Sequence, residues 1–151
     1  RQEGIHVALD TCGYVNPDLF QQLAPMADLF LYDLKFLTDE LHQIYTGVSN
    51  DLILANLRYL DAKKIPVRIR FPLIPTINDN LIELEQIRSF LTTFQSIHEL
   101  DILPYHPIGQ SKYRRMGRSY SLNTITEPSA NHLQAVQNFF QNAGLHVKIE
   151  D

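Results

Sequence analysis

Leu29-Phe30-Leu31-Tyr32-Asp33-Leu34-Lys35 is the stretch on which the fold turns. An apolar run of this length, rich in β-formers, reads as a strand buried on both faces, as in parallel sheets. It ends in a carboxylate and an ammonium two residues apart, and on a strand such side chains point to the same side.

The pattern recurs outward from this stretch. His6-Val7-Ala8-Leu9-Asp10-Thr11-Cys12-Gly13 ends in Asp10-Thr11, and Val67-Arg68-Ile69-Arg70-Phe71-Pro72 ends in Arg70 and a proline-rich loop. Leu100-Asp101-Ile102-Leu103-Pro104-Tyr105-His106 ends in a histidine. Helical stretches separate these runs. Asn16-Pro17 starts a helix with Leu19, Phe20 and Leu23 on its apolar face. Thr38 caps a short one carrying Leu41, Ile44 and Tyr45 that stops at Gly47. Ser49-Asn50-Asp51 opens a helix with Ile53, Leu57 and Leu60 on one stripe. Asn80 precedes another with Leu84, Ile87, Leu91 and Phe94. Pro128-Ser129 opens a last helix with Leu133, Val136 and Phe140, and Leu145-His146-Val147-Lys148-Ile149 reads as a terminal strand. The stretch from 107 to 128 is long, irregular and rich in Gly, Arg, Ser and Tyr, as functional loops often are. This order predicts an α/β fold in one domain over residues 1–151: four parallel strands with outer helices, then a final helix and strand. In β/α barrels and open α/β sheets, ligands bind at the C-terminal edge of the strands.

Composition narrows the function. A formal net charge of −4 disfavours a nucleic-acid surface; the one basic run is Lys112-Tyr113-Arg114-Arg115. No apolar stretch approaches a membrane span of about 18 residues. Cys12 is the single cysteine, so no intrachain disulfide is possible and a reducing, cytoplasmic compartment is the natural expectation. The chain opens on Arg1-Gln2-Glu3-Gly4-Ile5 without a methionine, which reads as the tail of a preceding helix.

Asp10, Thr11, Asp33, Lys35, Arg70 and His106 are therefore expected at one strand edge. Two carboxylates, a histidine and two cations suit a divalent metal for hydrolysis. They equally suit a zwitterion, with Lys35 and Arg70 on its carboxylate and Asp33 on its ammonium or ribose hydroxyls. Spacing alone leaves both open. Plainer roles exist for each residue: a solvated Asp33–Lys35 pair, a turn-capping Asp10, Arg68 or Arg70 capping helix carbonyls, a packed loop histidine at 106, an inert Cys12.

A longer motif chooses. Leu103-Pro104-Tyr105-His106-Pro107-Ile108-Gly109-Gln110-Ser111-Lys112-Tyr113, followed by Met116-Gly117, resembles the late motif of glycyl-radical-enzyme activating enzymes, radical S-adenosylmethionine proteins of the pyruvate formate-lyase activating type. Asp10-Thr11-Cys12-Gly13, Tyr32-Asp33-Leu34-Lys35, Thr46-Gly47-Val48-Ser49-Asn50 and Arg68-Ile69-Arg70-Phe71-Pro72-Leu73-Ile74-Pro75 resemble that family's motifs in the same order. The resemblance implies the later half of a partial β/α (TIM-like) barrel. It puts Asp33, Leu34, Lys35 and His106 on S-adenosylmethionine, and Arg70 on that cofactor or on an incoming peptide loop. It puts a monovalent cation at Asp10, Thr11 and Asp33 with the Leu31 carbonyl. It also implies a 4Fe-4S cluster in a full-length parent, flavodoxin or ferredoxin as electron donor, and pyruvate formate-lyase or a related glycyl radical enzyme as partner.

The departure from the family pattern carries equal weight. The family holds its cluster on a Cys-x-x-x-Cys-x-x-Cys loop near its N-terminus, followed by a Gly-Gly-Glu strand end, and this chain has neither. One thiolate cannot replace three. The expectation is a fragment that is inactive alone and self-associates through the unpaired edge of its first strand. The alternatives are a cluster-less barrel domain used as a binding or regulatory module, and a metal-dependent hydrolase using Asp10, Asp33 and His106.

Overall fold

The computed structural model describes residues 3–108, 113, 115–117 and 122–150. The elements run β1 (Ala8–Thr11), α1 (Pro17–Leu23), a 3-10 turn (Ala24–Met26), β2 (Leu29–Asp33), α2 (Asp39–Thr46), α3 (Asp51–Ala62), β3 (Val67–Leu73), α4 (Leu81–Leu91), β4 (Glu99–Pro104), α5 (Ala130–Gln141) and β5 (His146–Ile149). Residues 109–112 of the late motif, and Lys112 and Arg114 of the basic run, lie outside the described residues.

The strands form one sheet in the order β1-β2-β3-β4-β5, every neighbouring pair parallel. The terminal strand is thus the fifth member of the sheet rather than an appendage. An open parallel sheet in sequence order, with helices between its strands, is the expected partial β/α barrel.

Local sequence explains the helix starts. The Asn16 side chain accepts from the Asp18 amide at 2.9 Å with Pro17 at the first helical position, and Asn80 accepts from the Glu83 amide at 3.0 Å. Gly47 ends α2 at φ 84°, a left-handed cap that suits glycine. Thr38 precedes α2 without capping it; its hydroxyl donates instead to Glu83 Oε2 at 2.6 Å.

One face of the sheet makes the core. Phe30 and Tyr32 of β2, Ile69 and Phe71 of β3, Leu100 and Ile102 of β4 and Val147 of β5 pack in one cluster with Phe20, Ile53, Leu57, Leu60, Ile87, Val136 and Phe140 of the helices. Burying each such side chain is worth about 1.5–3 kcal/mol. The buried Tyr32 hydroxyl donates to the Ile53 carbonyl at 2.6 Å, satisfying the one polar atom of that ring. Burial and the neighbouring Cys12 raise its pKa.

The other face corrects the two-sided burial expected of the central strand. Burial alternates along β2, with Leu29, Leu31 and Asp33 only partly covered, and along β3, where Arg68, Arg70 and Pro72 are partly covered. The helices pack on one face only, so the run 29–35 is buried on alternate residues. Two helix faces also differ from expectation. Leu19 and Leu23 of α1 and Ile44 of α2 are exposed, while α2 buries His42, whose Nδ1–H donates to the Val48 carbonyl at 2.7 Å. Phe94 is buried but lies beyond the end of α4.

Candidate functional site

The partly covered face ends at a charged cluster built by strand register. Asp33 and Arg70 are Cα partners across β2 and β3, and Asp10 and Leu31 are partners across β1 and β2. Side chains of paired residues share a face, so Asp10 and Arg70 flank Asp33. Arg70 Nε donates to Asp33 Oδ1 at 2.9 Å, and Nη2 lies 2.7 Å from the same oxygen and also donates to Asp10 Oδ1. Lys35 Nζ donates to the second Asp33 oxygen at 3.0 Å. Partial burial disfavours the Arg70 charge, but hydrogen bonds and charge from Asp33 and Asp10 outweigh it, and its pKa is raised above the ordinary value.

Three of these side chains are part-buried, 19% exposed for Arg70, 24% for Asp33 and 34% for Lys35, while Asp10 is exposed at 62%. Two cations and two carboxylates that pair with one another at a solvent-reachable edge can re-pair with the carboxylate and ammonium of a zwitterion at small desolvation cost. The residues thus suit a zwitterion such as an amino acid. They do not fit an iron–sulfur cluster, since Cys12 is the sole thiol of the chain.

The other expected site residues are placed differently. The Leu34 side chain is buried on the helix-packed face, and its amide donates to the Arg70 carbonyl at 3.0 Å. The Thr11 hydroxyl accepts from the Gly13 amide at 2.9 Å, taking the turn-capping role open to Asp10. Arg70 supplies the positive charge between the two carboxylates. His106 stands apart from the cluster: its Nδ1 accepts from the Ile108 amide at 3.2 Å, so the ring proton lies on Nε2, which faces Glu127 Oε1 at 3.2 Å. It lines an open cavity of about 340 Å³ with Leu103, Pro104, Ile108 and Glu150. Lys35 lines a second cavity of about 430 Å³ with Phe36, Tyr45, Pro72 and Asn78 among its walls. The hydrolase alternative loses its ligand set, because His106 does not join Asp10 and Asp33. Among the described residues no three His, Cys, Asp or Glu come together as metal ligands.

Below the cluster runs a second network that the sequence reading missed. Arg68 Nη1 lies 3.4 Å from both oxygens of the buried Asp101, and Nη2 lies 3.6 Å from Glu99. His146 Nδ1 lies 3.0 Å from Glu99. Arg68 therefore turns to acids of β4 rather than to helix carbonyls. The signal was available: Arg68 pairs with Glu99 and Arg70 with Asp101 in the parallel register, and residues two apart share a face.

No family model matches the chain. It is 37% identical over 151 residues to the trans-4-hydroxy-L-proline dehydratase activating enzyme of Clostridioides difficile, covering 99% of this chain and 50% of that protein. It is 38% identical over 125 residues to the choline trimethylamine-lyase activating enzyme of Oleidesulfovibrio alaskensis, covering 81% and 40%. It is 32% identical over 146 residues to the pyruvate formate-lyase 1-activating enzyme of Escherichia coli, covering 95% and 59%. Among solved structures, a domain of a pyruvate-formate lyase-activating enzyme from Bacteroides vulgatus aligns with TM-score 0.81 and 27% identity over 99% of this chain and 84% of that one. A radical SAM methyltransferase from Sphaerobacter thermophilus shares the fold at TM-score 0.70 and 16% identity, over 95% and 39%. The chain spans about half the length of the curated relatives it matches. Nearly the whole chain is thus similar, in sequence and in fold, to about half of each of these glycyl-radical-enzyme activating enzymes.

Proposed function

We propose that this chain is the cofactor- and partner-facing half of an activating enzyme that generates a glycyl radical on pyruvate formate-lyase or a related enzyme. The observation that carries the reading is the Asp10–Arg70–Asp33–Lys35 cluster at the C-terminal edge of the sheet. S-adenosylmethionine, with a 4Fe-4S cluster and an electron from flavodoxin or ferredoxin, would supply the radical chemistry; the cluster needs thiolates beyond Cys12, the single thiol of this chain.

This chain's own residues bind and orient. Lys35 and Arg70 provide fixed positive charge for a carboxylate, and Asp33 provides the acceptor for an ammonium or hydroxyl. Leu34 holds β2 to β3 through its amide. His106, with its Nε2–H directed at Glu127, stands beside the cavity at the end of β4. A monovalent cation at Asp10, Thr11 and Asp33 would compete with Arg70 for the same two carboxylates. A cytoplasmic setting goes with the lone thiol; among the described residues no helix is long and apolar enough to cross a membrane.

The test joins this chain to the cysteine-loop portion of a related activating enzyme and follows the glycyl radical on pyruvate formate-lyase by electron paramagnetic resonance. The fused protein forms the radical, Asp33→Ala reduces it at least about tenfold, and the chain alone makes no 5′-deoxyadenosine. Product from the chain alone, or full radical yield in Asp33→Ala, overturns the reading. The single cysteine also favours a cluster-less binding or regulatory module. Tight S-adenosylmethionine binding by the isolated chain, with no gain from the fusion, would select that module.

A further inference from the structure

The loop 34–38, which carries Lys35 away from β2, has its backbone held by side chains from distant parts of the chain. Asn78 Nδ2 donates to the Lys35 carbonyl at 3.1 Å. Asn50 Nδ2 donates to the Phe36 and Leu37 carbonyls at 3.2 and 2.9 Å. Glu83 accepts from the amides of Leu37 and Thr38 and from the Thr38 hydroxyl. Asn78, Asn50 and Glu83 are 0%, 2% and 1% exposed, so each buried polar group is matched where an unmatched one would be costly.

Asn78 differs from the other two in reaching both neighbouring loops. The same Nδ2 donates to the Pro72 carbonyl at 2.7 Å, and Oδ1 accepts from the Ile74 amide at 2.8 Å. One amide thus ties the end of β2, with Asp33 and Lys35, to the end of β3, with Arg70. The loop it sits in is under strain: Thr76, a β-branched residue, has φ 65°, and Asp79 Oδ1 holds its amide at 2.7 Å.

We infer that Asn78 is a positioning residue of the charged cluster, locking the loops after β2 and β3 together so that Asp33, Lys35 and Arg70 meet a ligand in a fixed arrangement. The clamp stands on geometry alone; what the cluster holds rests on the function proposed above.

Hydrogen exchange on the chain tests the clamp, with Asp61→Asn as control. Asp61 makes a comparable clamp between α3 and the Gln95–Ser96 turn, its oxygens accepting from Ser96 N and Oγ and from Gln95 N, away from the charged cluster. In Asn78→Ser, exchange at the Leu34 and Ile74 amides rises by about tenfold or more; in Asp61→Asn it does not. In Asn78→Asp, which keeps the acceptor and loses the donors, Ile74 stays protected while Leu34 exchanges faster. Unchanged Leu34 exchange in both Asn78 variants, or an equal rise in Asp61→Asn, overturns the proposal. In the fused protein, Asn78→Ser weakens S-adenosylmethionine binding about tenfold and Asp61→Asn leaves it alone. An unmoved affinity in Asn78→Ser removes the link to the ligand. Failure of the unmodified fusion to bind, with the exchange pattern intact, counts against the proposed function and not against the clamp.

Discussion

Arg70 and Asp33 are register partners on adjacent parallel strands, and their side chains close the pairing with an Nε donor 2.9 Å from Oδ1. Geometry this good on part-buried groups gives a measurable interaction. A double-mutant cycle with Asp33→Ala and Arg70→Ala, read by urea unfolding, should return a coupling of about 1 kcal/mol. A coupling indistinguishable from zero would show the pair to be a solvated contact.

The lower network carries a sharper penalty. Asp101 is 1% exposed, and Arg68 is the only cation paired with it among the described residues. Arg68→Met should cost about 3 kcal/mol by stranding a buried carboxylate, and Asp101→Leu in the same chain should restore most of the loss. Equal destabilisation by the single and double variants would refute the assignment.

Gly13 is fixed by φ 71° and by its neighbour. A Cβ there would fall 1.7 Å from the Tyr32 hydroxyl oxygen and 2.3 Å from the ring carbon bearing it. Gly13→Ala should lower stability by at least about 2 kcal/mol. Tyr32→Phe should not rescue it, because the ring carbon remains in the way; rescue in a thermal melt would mean that the loop moves instead.

Acid should weaken the fold through two aspartates. Burial opposes the Asp61 charge, but hydrogen bonds from Ser96 and Gln95 outweigh it and lower its pKa from 3.8; the Asn50 amide and Gln43 lower that of Asp39. A depressed folded-state pKa gives stability that is present above the unfolded value and lost as pH falls through the folded one. Stability should therefore drop as pH falls below 3.8, and Asp61→Asn should flatten that limb in acid titrations of unfolding. An unchanged slope would disprove the Asp61 contribution.

The outer edge of β1 pairs with nothing among the described residues, and its residues alternate between exposed and half-buried. Open strand edges recruit other strands. The isolated chain should show a mass that rises with concentration in light scattering, and Ala8→Pro, which removes an outward-facing N–H of β1, should reduce it. A monomer at all concentrations would end this expectation.

The sequence made the strand order and helix starts legible because both are local. Short apolar runs ending in Asp10, Asp33 and Arg70 became β1, β2 and β3, and Asn16 and Asn80 cap α1 and α4 as their positions suggest. The charged cluster was legible too, since the ends of neighbouring parallel strands must meet. One-sided burial was not, because an apolar run such as 29–34 does not reveal which alternate residues a helix will cover. Nor were Asn78 and Glu83: their contacts with Lys35 and Leu37 span 43 and 46 residues, and no local pattern marks an amide or carboxylate that serves a distant loop. His106 carried its motif faithfully but not its neighbours, which depend on where Glu127 returns to the sheet.

The one-sided sheet has an evolutionary corollary. Phe30, Tyr32, Ile69 and Phe71 hold the chain together on one surface, while Asp33, Arg68 and Arg70 lie on the opposite one. Substitutions at the solvent-reachable positions of the charged surface therefore leave the packed core untouched, while Arg68 stays tied to the buried Asp101. The curated relatives are named for chemically unlike partner enzymes: a hydroxyproline dehydratase, a choline lyase, a formate-lyase. A scaffold whose core packing and charged cluster occupy separate surfaces is well suited to such divergence.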